Sequence, residues 1–271
     1  MFIVKVPGIN GLGKTKGCEK AGNAILECLR KEFWGNEEGK EVDTKILDLE
    51  EIHLDNSNLK LTNELIYKNS LEIFETKPRV IFLGGDHSIS YSLTKAFLNY
   101  CSDEKKKPCL IVFDSHPDLM PVSEKKENYS NHEEWLRKLI EAGFPSGNIL
   151  LVGIRNPAKE EISFIKEKKI TSINLDNSLL DIENFCDTIM EFATGKELYI
   201  SIDIDVIDPA FAPATGYPEP GGLTSRQFLY LIRRINRMKN LKAIDLVEIN
   251  PEKDKDGLTV KLGAKILSEL V

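Results

Sequence analysis

The sequence predicts a three-layer α/β fold, in which a mainly parallel sheet of about eight strands has helices on both faces. Short apolar runs rich in β-branched residues alternate with longer amphipathic segments along the chain, and this alternation is typical of β-α-β units. The runs are nearly continuous in their hydrophobicity, which indicates strands buried on both faces. At 271 residues the chain has the length of one large α/β domain, so we expect a single domain over 1–271.

The predicted strands are short apolar segments, several of which are bounded by glycine or proline. They lie at roughly 2–6, 43–47, 79–83, 109–113, 148–153, 170–174, 198–203 and 242–247. The segments between them have helical spacing and charged outer faces, and they predict helices at 18–33, 88–98, 133–142, 159–168, 180–192 and 225–238. A loop rich in proline and glycine, 208–222, directly follows a predicted strand, so we expect it to form a pocket wall.

The composition excludes several classes of partner. A net charge of −7 argues against nucleic acid or a membrane surface, because proteins that bind phosphate groups usually present a basic face. No apolar stretch approaches the ~20 residues of a membrane span. The five cysteines contain no C-x-x-C pair, which predicts reduced thiols in a cytoplasmic protein.

Three clusters of metal-ligand residues each follow an apolar run. The clusters are Gly84-Gly85-Asp86-His87, Asp114-Ser115-His116-Pro117-Asp118 and Asp203-Ile204-Asp205. Ligands of open α/β sheets bind outside the carboxyl ends of the strands, so these clusters are expected to meet at one edge of the sheet. A single aspartate in such a place more often caps a helix. At least four aspartates and two histidines together point instead to a metal centre.

The number of carboxylates indicates more than one cation. Two like charges ~4 Å apart repel by about 4 kcal/mol at an effective dielectric constant of 20. Two divalent cations would offset four such charges. A set of oxygen ligands with a minority of imidazoles and no thiolate favours manganese over copper or a structural zinc. We therefore predict two Mn²⁺ ions per subunit, close enough to activate a shared water molecule.

These motifs resemble those of the arginase/agmatinase (ureohydrolase) family of binuclear manganese enzymes. The resemblance extends from Gly17-Cys18-Glu19-Lys20 to Val247-Glu248-Ile249-Asn250-Pro251. It implies that Asp114 and Asp203 bridge the two metals. It also implies that His87 and Asp118 complete one coordination sphere, while His116 and Asp205 complete the other. The family forms trimers and hexamers, so a homo-oligomer is expected.

The same resemblance implies roles for residues that contact the substrate. Glu248 matches the carboxylate that holds the substrate guanidinium. His132 falls where the family keeps a proton-shuttle histidine, although Glu133 replaces the glycine that usually follows it. Asp118 would pass a proton to the leaving amine as urea departs. Tyr217 occupies a position that is usually a small threonine lining the pocket.

Departures from the arginase pattern guide the choice of substrate. The stretch Gly153-Ile154-Arg155-Asn156-Pro157-Ala158 lacks the aspartates with which arginases hold the substrate α-amino group. Pro213-Ala214-Thr215-Gly216 resembles arginases, whereas Pro218-Glu219-Pro220-Gly221-Gly222 resembles agmatinases. We expect cleavage of agmatine to putrescine and urea. Arginine is the first alternative, followed by guanidinobutyrate-type and formimino substrates. A non-catalytic protein that binds metal and a guanidino compound, or a single-zinc deacetylase of the same broad fold, remains the alternative from another class.

Overall fold

The computed structural model describes residues 2–11, 13–42, 48–122, 129–175 and 181–271. Its centre is an eight-stranded sheet in the order β2-β1-β3-β8-β7-β4-β5-β6, and every neighbouring pair is parallel. The strands are β1 Phe2–Val6, β2 Asp48–Glu51, β3 Val80–Gly84, β4 Pro108–Phe113, β5 Ile149–Val152, β6 Thr171–Ile173, β7 Glu197–Asp203 and β8 Leu241–Val247. The predicted fold class is confirmed.

Helices cover both faces of this sheet. They are α1 Ala21–Glu32, α2 Leu59–Thr76, α3 Ile89–Asp103, α4 Trp135–Glu141, α5 Lys159–Lys168, α6 Ile182–Ala193, α7 Ser225–Asn236 and α8 Leu258–Leu270. Side chains alternate along each strand, so Ile81 and Leu83 pack with α1, α6, α7 and α8, whereas Val80 and Phe82 pack with α2, α3, α4 and α5. Two hydrophobic cores, one on each side of the sheet, therefore hold the three layers together.

Most predicted elements are present, with small shifts at their ends. The predicted strand 43–47 lies outside the described residues, and the strand described in that region is β2. Helices α2 and α8 lie in segments for which we predicted no element. Residues on most sides of α8 are buried, because it packs against both α1 and α7. A helix buried in this way lacks the polar face that makes helical periodicity visible in a sequence.

The strand order brings four functional segments together. Strands β3, β8, β7 and β4 are consecutive in the middle of the sheet, and each predicted metal motif follows β3, β4 or β7 directly. The segment after β8 begins with Glu248. Because all strands are parallel, their carboxyl ends lie at the same edge, which is where open α/β sheets bind ligands.

Gly85 lets two of these segments approach each other. A Cβ atom at this position would lie 1.9 Å from the carbonyl oxygen of Gly8, and that oxygen accepts a hydrogen bond from the Asp86 amide at 3.1 Å. The Gly85 carbonyl in turn accepts from the Glu248 amide at 2.9 Å. The main chain on both sides of Gly85 is therefore held by hydrogen bonds and cannot easily move to make room for a side chain.

We expect Gly85→Ala to lower the free energy of unfolding by about 1–3 kcal/mol, the usual cost of inserting atoms into a packed interior. The measurement is denaturation in urea, followed by circular dichroism. Gly147→Ala is the matched control, because a Cβ atom at Gly147 meets nothing within 4 Å. Equal stability of the two variants would contradict this account of the β3 end.

Candidate metal centre and substrate pocket

The strands end before the metal motifs do, so most of the proposed ligands lie on turns. Strand β4 ends at Phe113, and Asp118 has a left-handed backbone with φ 53°. Strand β7 ends at Asp203, and Ile204–Val206 form a 3-10 turn. An extended strand would place Asp203 and Asp205 on one face, and would do the same for Asp114, His116 and Asp118 only if the extended conformation continued through them. It does not continue in either segment, so turns rather than strands direct these side chains.

Two aspartates use one carboxylate oxygen for the turn and leave the other free. Asp114 Oδ1 accepts from the His116 amide at 2.6 Å, and Asp203 Oδ1 accepts from the Asp205 amide at 2.8 Å. The Oδ2 atoms of Asp114 and Asp203 point to His87, at 3.1 and 3.3 Å from its Nδ1 atom. Capping and metal binding are therefore compatible in the same side chain.

One group of potential ligands surrounds His87. Its Nδ1 atom lies 3.0 Å from Asp118 Oδ2, in addition to the two oxygens named above. His87, Asp114 and Asp118 are buried, and neither His87 Nδ1 nor Asp114 Oδ2 has a hydrogen-bond partner among the described residues. Buried polar atoms without partners are rare. Their convergence on one point fits a bound cation.

A second group adjoins the first. His116 Nδ1 lies 3.0 Å from Asp205 Oδ2 and 3.7 Å from Asp114 Oδ1. Ligand atoms of Asp114, His116 and Asp205 are close enough together to hold one ion, as are those of His87, Asp114 and Asp118. Asp114 belongs to both groups, as a bridging ligand must.

The electrostatics of this cluster also fit cations. Burial, together with the charges of Asp205, Asp118 and Asp203, raises the pKa of Asp114 well above its usual range. Burial and the charge of Asp205 likewise raise the pKa of Asp203, to about 7. Positive charge brought among such carboxylates favours their ionised form. Bound divalent cations would supply that charge.

The proposed ligand His87 has a hydrogen-bond partner on its outer nitrogen, and a carboxylate lies near that of His116. His87 Nε2 lies 2.9 Å from the hydroxyl of Ser201, which donates to Asp245 Oδ1 at 2.6 Å. His116 Nε2 lies 3.7 Å from Glu219 Oε1. Such partners fix the ring orientation of metal-binding histidines. We did not single out Ser201 or Asp245 from the sequence, although an aspartate inside a buried strand is a signal that could have revealed the pair.

Glu248 is held firmly beside the cluster. Its backbone is left-handed, with φ 63°, and its buried carboxylate accepts a hydrogen bond from the His87 amide at 2.9 Å. The thiol of Cys18 donates to its other oxygen at 3.8 Å. Burial and the nearby charges of Asp203 and Asp86 raise the pKa of Glu248 well above its usual range. A bound guanidinium would lower that pKa and pair with the carboxylate.

A cavity of about 270 Å³ connects these residues to the surface. The residues that line it are His87, His116, Asp118, Met120, His132, Glu133, Asn156, Pro157, Ala158, Glu161, Asp203, Asp205, Thr215, Tyr217 and Glu248. The His132 and Tyr217 rings stack, with centroids 5.3 Å apart and an interplanar angle of 26°. Neither ring nitrogen of His132 has a hydrogen-bond partner among the described residues. All nine site residues predicted from the sequence lie in or beside this cavity.

A family model described as "Arginase family" matches residues 1–271. The chain belongs to the arginase family. It is 32% identical over 232 residues to an agmatinase of Bacillus subtilis (strain 168), with coverage of 84% of this chain and 75% of the relative. It is 30% identical over 262 residues to a mitochondrial arginase 1 of Oryza sativa subsp. indica, with coverage of 89% and 73%. The resemblance inferred from the motifs is confirmed.

A solved structure supports the fold independently. The proclavaminate amidino hydrolase from Streptomyces clavuligerus matches with a TM-score of 0.85, covering 99% of this chain and 89% of that chain at 24% identity. As a member of the arginase family by its family model and curated relatives, the chain is a ureohydrolase, a hydrolytic enzyme acting on guanidino compounds. Enzymes of this family depend on a binuclear metal centre. Within the described residues, no helix is long and apolar enough to cross a membrane.

Divalent cations are expected to stabilise this protein. A ligand at about 100 times its dissociation constant adds about 2.7 kcal/mol to the free energy of unfolding, so saturating Mn²⁺ should raise the Tm. Asp114→Asn keeps an acceptor for the His116 amide but removes a charged ligand from both groups. We expect this variant to be at least as stable as the parent without metal and to lose the increase with Mn²⁺. Differential scanning calorimetry tests both points, and an unchanged increase in the variant would contradict the shared-ligand arrangement.

Proposed function

We propose that this enzyme hydrolyses agmatine to putrescine and urea, with two manganese ions per subunit. The observation that carries the proposal is the charge of the cavity. Among the described residues that line it are six acidic side chains, Asp118, Glu133, Glu161, Asp203, Asp205 and Glu248, but no lysine or arginine. Asp118, Asp203 and Asp205 are proposed metal ligands, so the negative charge left for the substrate is that of Glu133, Glu161 and Glu248. A substrate with a positive charge at each end suits these three carboxylates.

The guanidinium end is assigned to Glu248. This carboxylate is buried beside the cluster, and its anchoring to the His87 amide sets its distance from the metal ligands. A charge-assisted contact there would orient the guanidinium carbon toward the cluster. The orientation would be fixed before the substrate arrives, because the Glu248 backbone is itself tied to Gly85.

The distal end of the substrate distinguishes agmatine from its competitors. Arginine, guanidinobutyrate and formiminoglutamate all carry a carboxylate at this end, and an ion that loses its hydration without finding a partner is costly to bury. Lys14 has its ammonium 4.4 Å from the ring centre of Tyr217, but it does not line the cavity. Agmatine carries an ammonium group instead of a carboxylate at this end, so it needs no lysine or arginine there.

The stretch that matches the α-amino-binding residues of arginases makes other contacts in this protein. The Asn156 amide donates to Glu219 Oε1 at 2.6 Å, and Ala158 has no polar side chain. Glu161 accepts from the amides of Leu119 and Ala158, at 2.9 and 2.8 Å. These contacts fix the side chains of this part of the wall, and among the described residues there no cationic group faces the cavity to pair with the α-carboxylate of arginine.

When bound, two divalent cations supply a water molecule of lowered pKa that can attack the guanidinium carbon. The residues that would hold them are His87, Asp114, His116, Asp118, Asp203 and Asp205. Four carboxylates and two imidazoles, without a thiolate, form the donor set that favours manganese.

Proton transfer is assigned to Asp118 and His132. Asp118 Oδ2 accepts a hydrogen bond from Trp135 at 2.7 Å, so Oδ1 is the atom proposed to carry the proton to the leaving amine. His132, which has no hydrogen-bond partner on either ring nitrogen among the described residues, would exchange that proton with solvent. The stacked ring of Tyr217 limits rotation of the imidazole and narrows the cavity beside it.

The cellular setting is also proposed. All five cysteines are free thiols and four of them are buried, which supports a reducing compartment such as the cytoplasm. A homo-oligomer, either a trimer or a hexamer, is proposed for the assembly, and analytical ultracentrifugation would decide between them. Putrescine as the product would place the enzyme in polyamine biosynthesis.

The direct test measures urea release from the Mn-loaded protein, with agmatine, arginine, guanidinobutyrate and formiminoglutamate supplied in parallel. We expect urea from agmatine and little from arginine or guanidinobutyrate. Formiminoglutamate would yield formamide rather than urea, so its cleavage is followed by glutamate release. Faster cleavage of any of the three substrates that carry a carboxylate would overturn the argument from cavity charge. Binding of metal and agmatine without urea would point to a non-catalytic binding protein.

Glu248→Gln tests the guanidinium assignment. A hydrogen bond to a charged group contributes about 1.5–3 kcal/mol, so we expect kcat/KM for agmatine to fall by roughly 10- to 150-fold while bound manganese is retained. Glu252→Gln is the control. Glu252 lies on the same segment as Glu248, but its carboxylate is exposed and pairs with Lys20. Equal activity of the two variants would refute the assignment.

A further inference from the structure

Trp135 lies against two of the proposed metal ligands. It is the first residue of α4, three positions after His132, and its side chain is fully buried. Its indole Nε1 atom donates to Asp118 Oδ2 at 2.7 Å. Its ring lies beside the His87 imidazole, with centroids 4.7 Å apart and an interplanar angle of 38°. One side chain thus contacts a carboxylate and an imidazole of the same ligand group.

Asp118 is a ligand that needs support. Its left-handed backbone, φ 53°, costs on the order of 1–3 kcal/mol for a residue other than glycine and persists only where the surroundings enforce it. The Asp118 carbonyl accepts from the amide of Arg137, also on α4, at 3.4 Å. The first turn of α4 therefore holds Asp118 through both its side chain and its main chain.

We propose that Trp135 is a positioning residue of the metal centre: its indole N–H fixes Asp118 Oδ2 toward the cation beside His87, and its ring fixes the plane of the His87 imidazole. This inference rests on the proposed function, since it assumes that His87 and Asp118 bind metal.

The chemistry of indole suits this position. Indole has a single N–H donor and no acceptor. In this contact Trp135 can therefore only donate, and Asp118 must accept as a carboxylate. The contact satisfies one lone pair of the carboxylate without adding a positive charge. A lysine or arginine in the same place would repel the cations that the cluster requires. A buried phenylalanine would keep an aromatic ring in the core but would leave Asp118 Oδ2 without its donor.

The chain contains two tryptophans, and the other one provides a control. Trp34 is 89% exposed and is absent from the cavity lining. In a Trp34→Phe host, the tryptophan fluorescence comes from Trp135 alone. We expect titration with Mn²⁺ to quench this emission in parallel with metal uptake measured by electron paramagnetic resonance. Uptake of Mn²⁺ with unchanged Trp135 emission would overturn the proposal.

Trp135→Phe in the wild-type background separates the hydrogen bond from packing. Loss of a partner that orients a ligand typically weakens metal binding by about 10- to 100-fold, and we expect this range for Mn²⁺ affinity. At saturating Mn²⁺, kcat for agmatine should fall while KM stays within about two-fold of the parent. Phe144→Leu is the packing control, because Phe144 is buried in the same core as Trp135 but does not line the cavity. We expect it to leave Mn²⁺ affinity unchanged.

The outcomes distinguish this proposal from the proposed function. If the Trp34→Phe host binds no Mn²⁺, both fail. If the host binds Mn²⁺ and Trp135→Phe retains the parental affinity and kcat, the positioning role alone is refuted. If Trp135→Phe does not fold, quenching in the host still decides, since it requires no change at residue 135.

Discussion

The site is organised around the mutual repulsion of buried carboxylates. Asp114, Asp118, Asp203 and Asp205 are all buried, and their burial and proximity raise the pKa of Asp114 and of Asp203. The neighbouring strands β4 and β7 deliver these four groups to a single point, so the fold itself creates the repulsion. Cations would relieve it. The sheet therefore holds the carboxylates in positions that destabilise the metal-free protein but favour the binding of cations.

The surrounding residues keep this arrangement from relaxing. Asp118 and Glu248 both have left-handed backbones, and each is tied to a neighbouring segment, Asp118 to α4 and Glu248 to the end of β3. Ser201 and Asp245 support His87 from the sheet. Strain of this kind is typical of functional sites. It also explains why the proposed roles fall on residues at the ends of strands, where the chain can turn sharply while the strand remains fixed.

Much of the fold and the candidate site could be predicted from the sequence, but different signals revealed the strands and the ligands. Apolar runs revealed the strands, and the residues after β3, β4 and β7 identified the ligand clusters. The turns at Asp118 and Asp205 could not be predicted, because strand periodicity says nothing about the backbone beyond the strand end. Trp135 was missed because a buried tryptophan normally indicates core packing, and only its 2.7 Å contact with Asp118 reveals the second task.

The central claim is that two cations sit among these carboxylates, and a crystal grown with Mn²⁺ and measured at the manganese absorption edge would test it most directly. The account predicts two anomalous peaks roughly 3.5–4 Å apart, one beside His87 and the other beside His116, with Asp114 between them. A single peak, or two peaks that do not share Asp114, would contradict it.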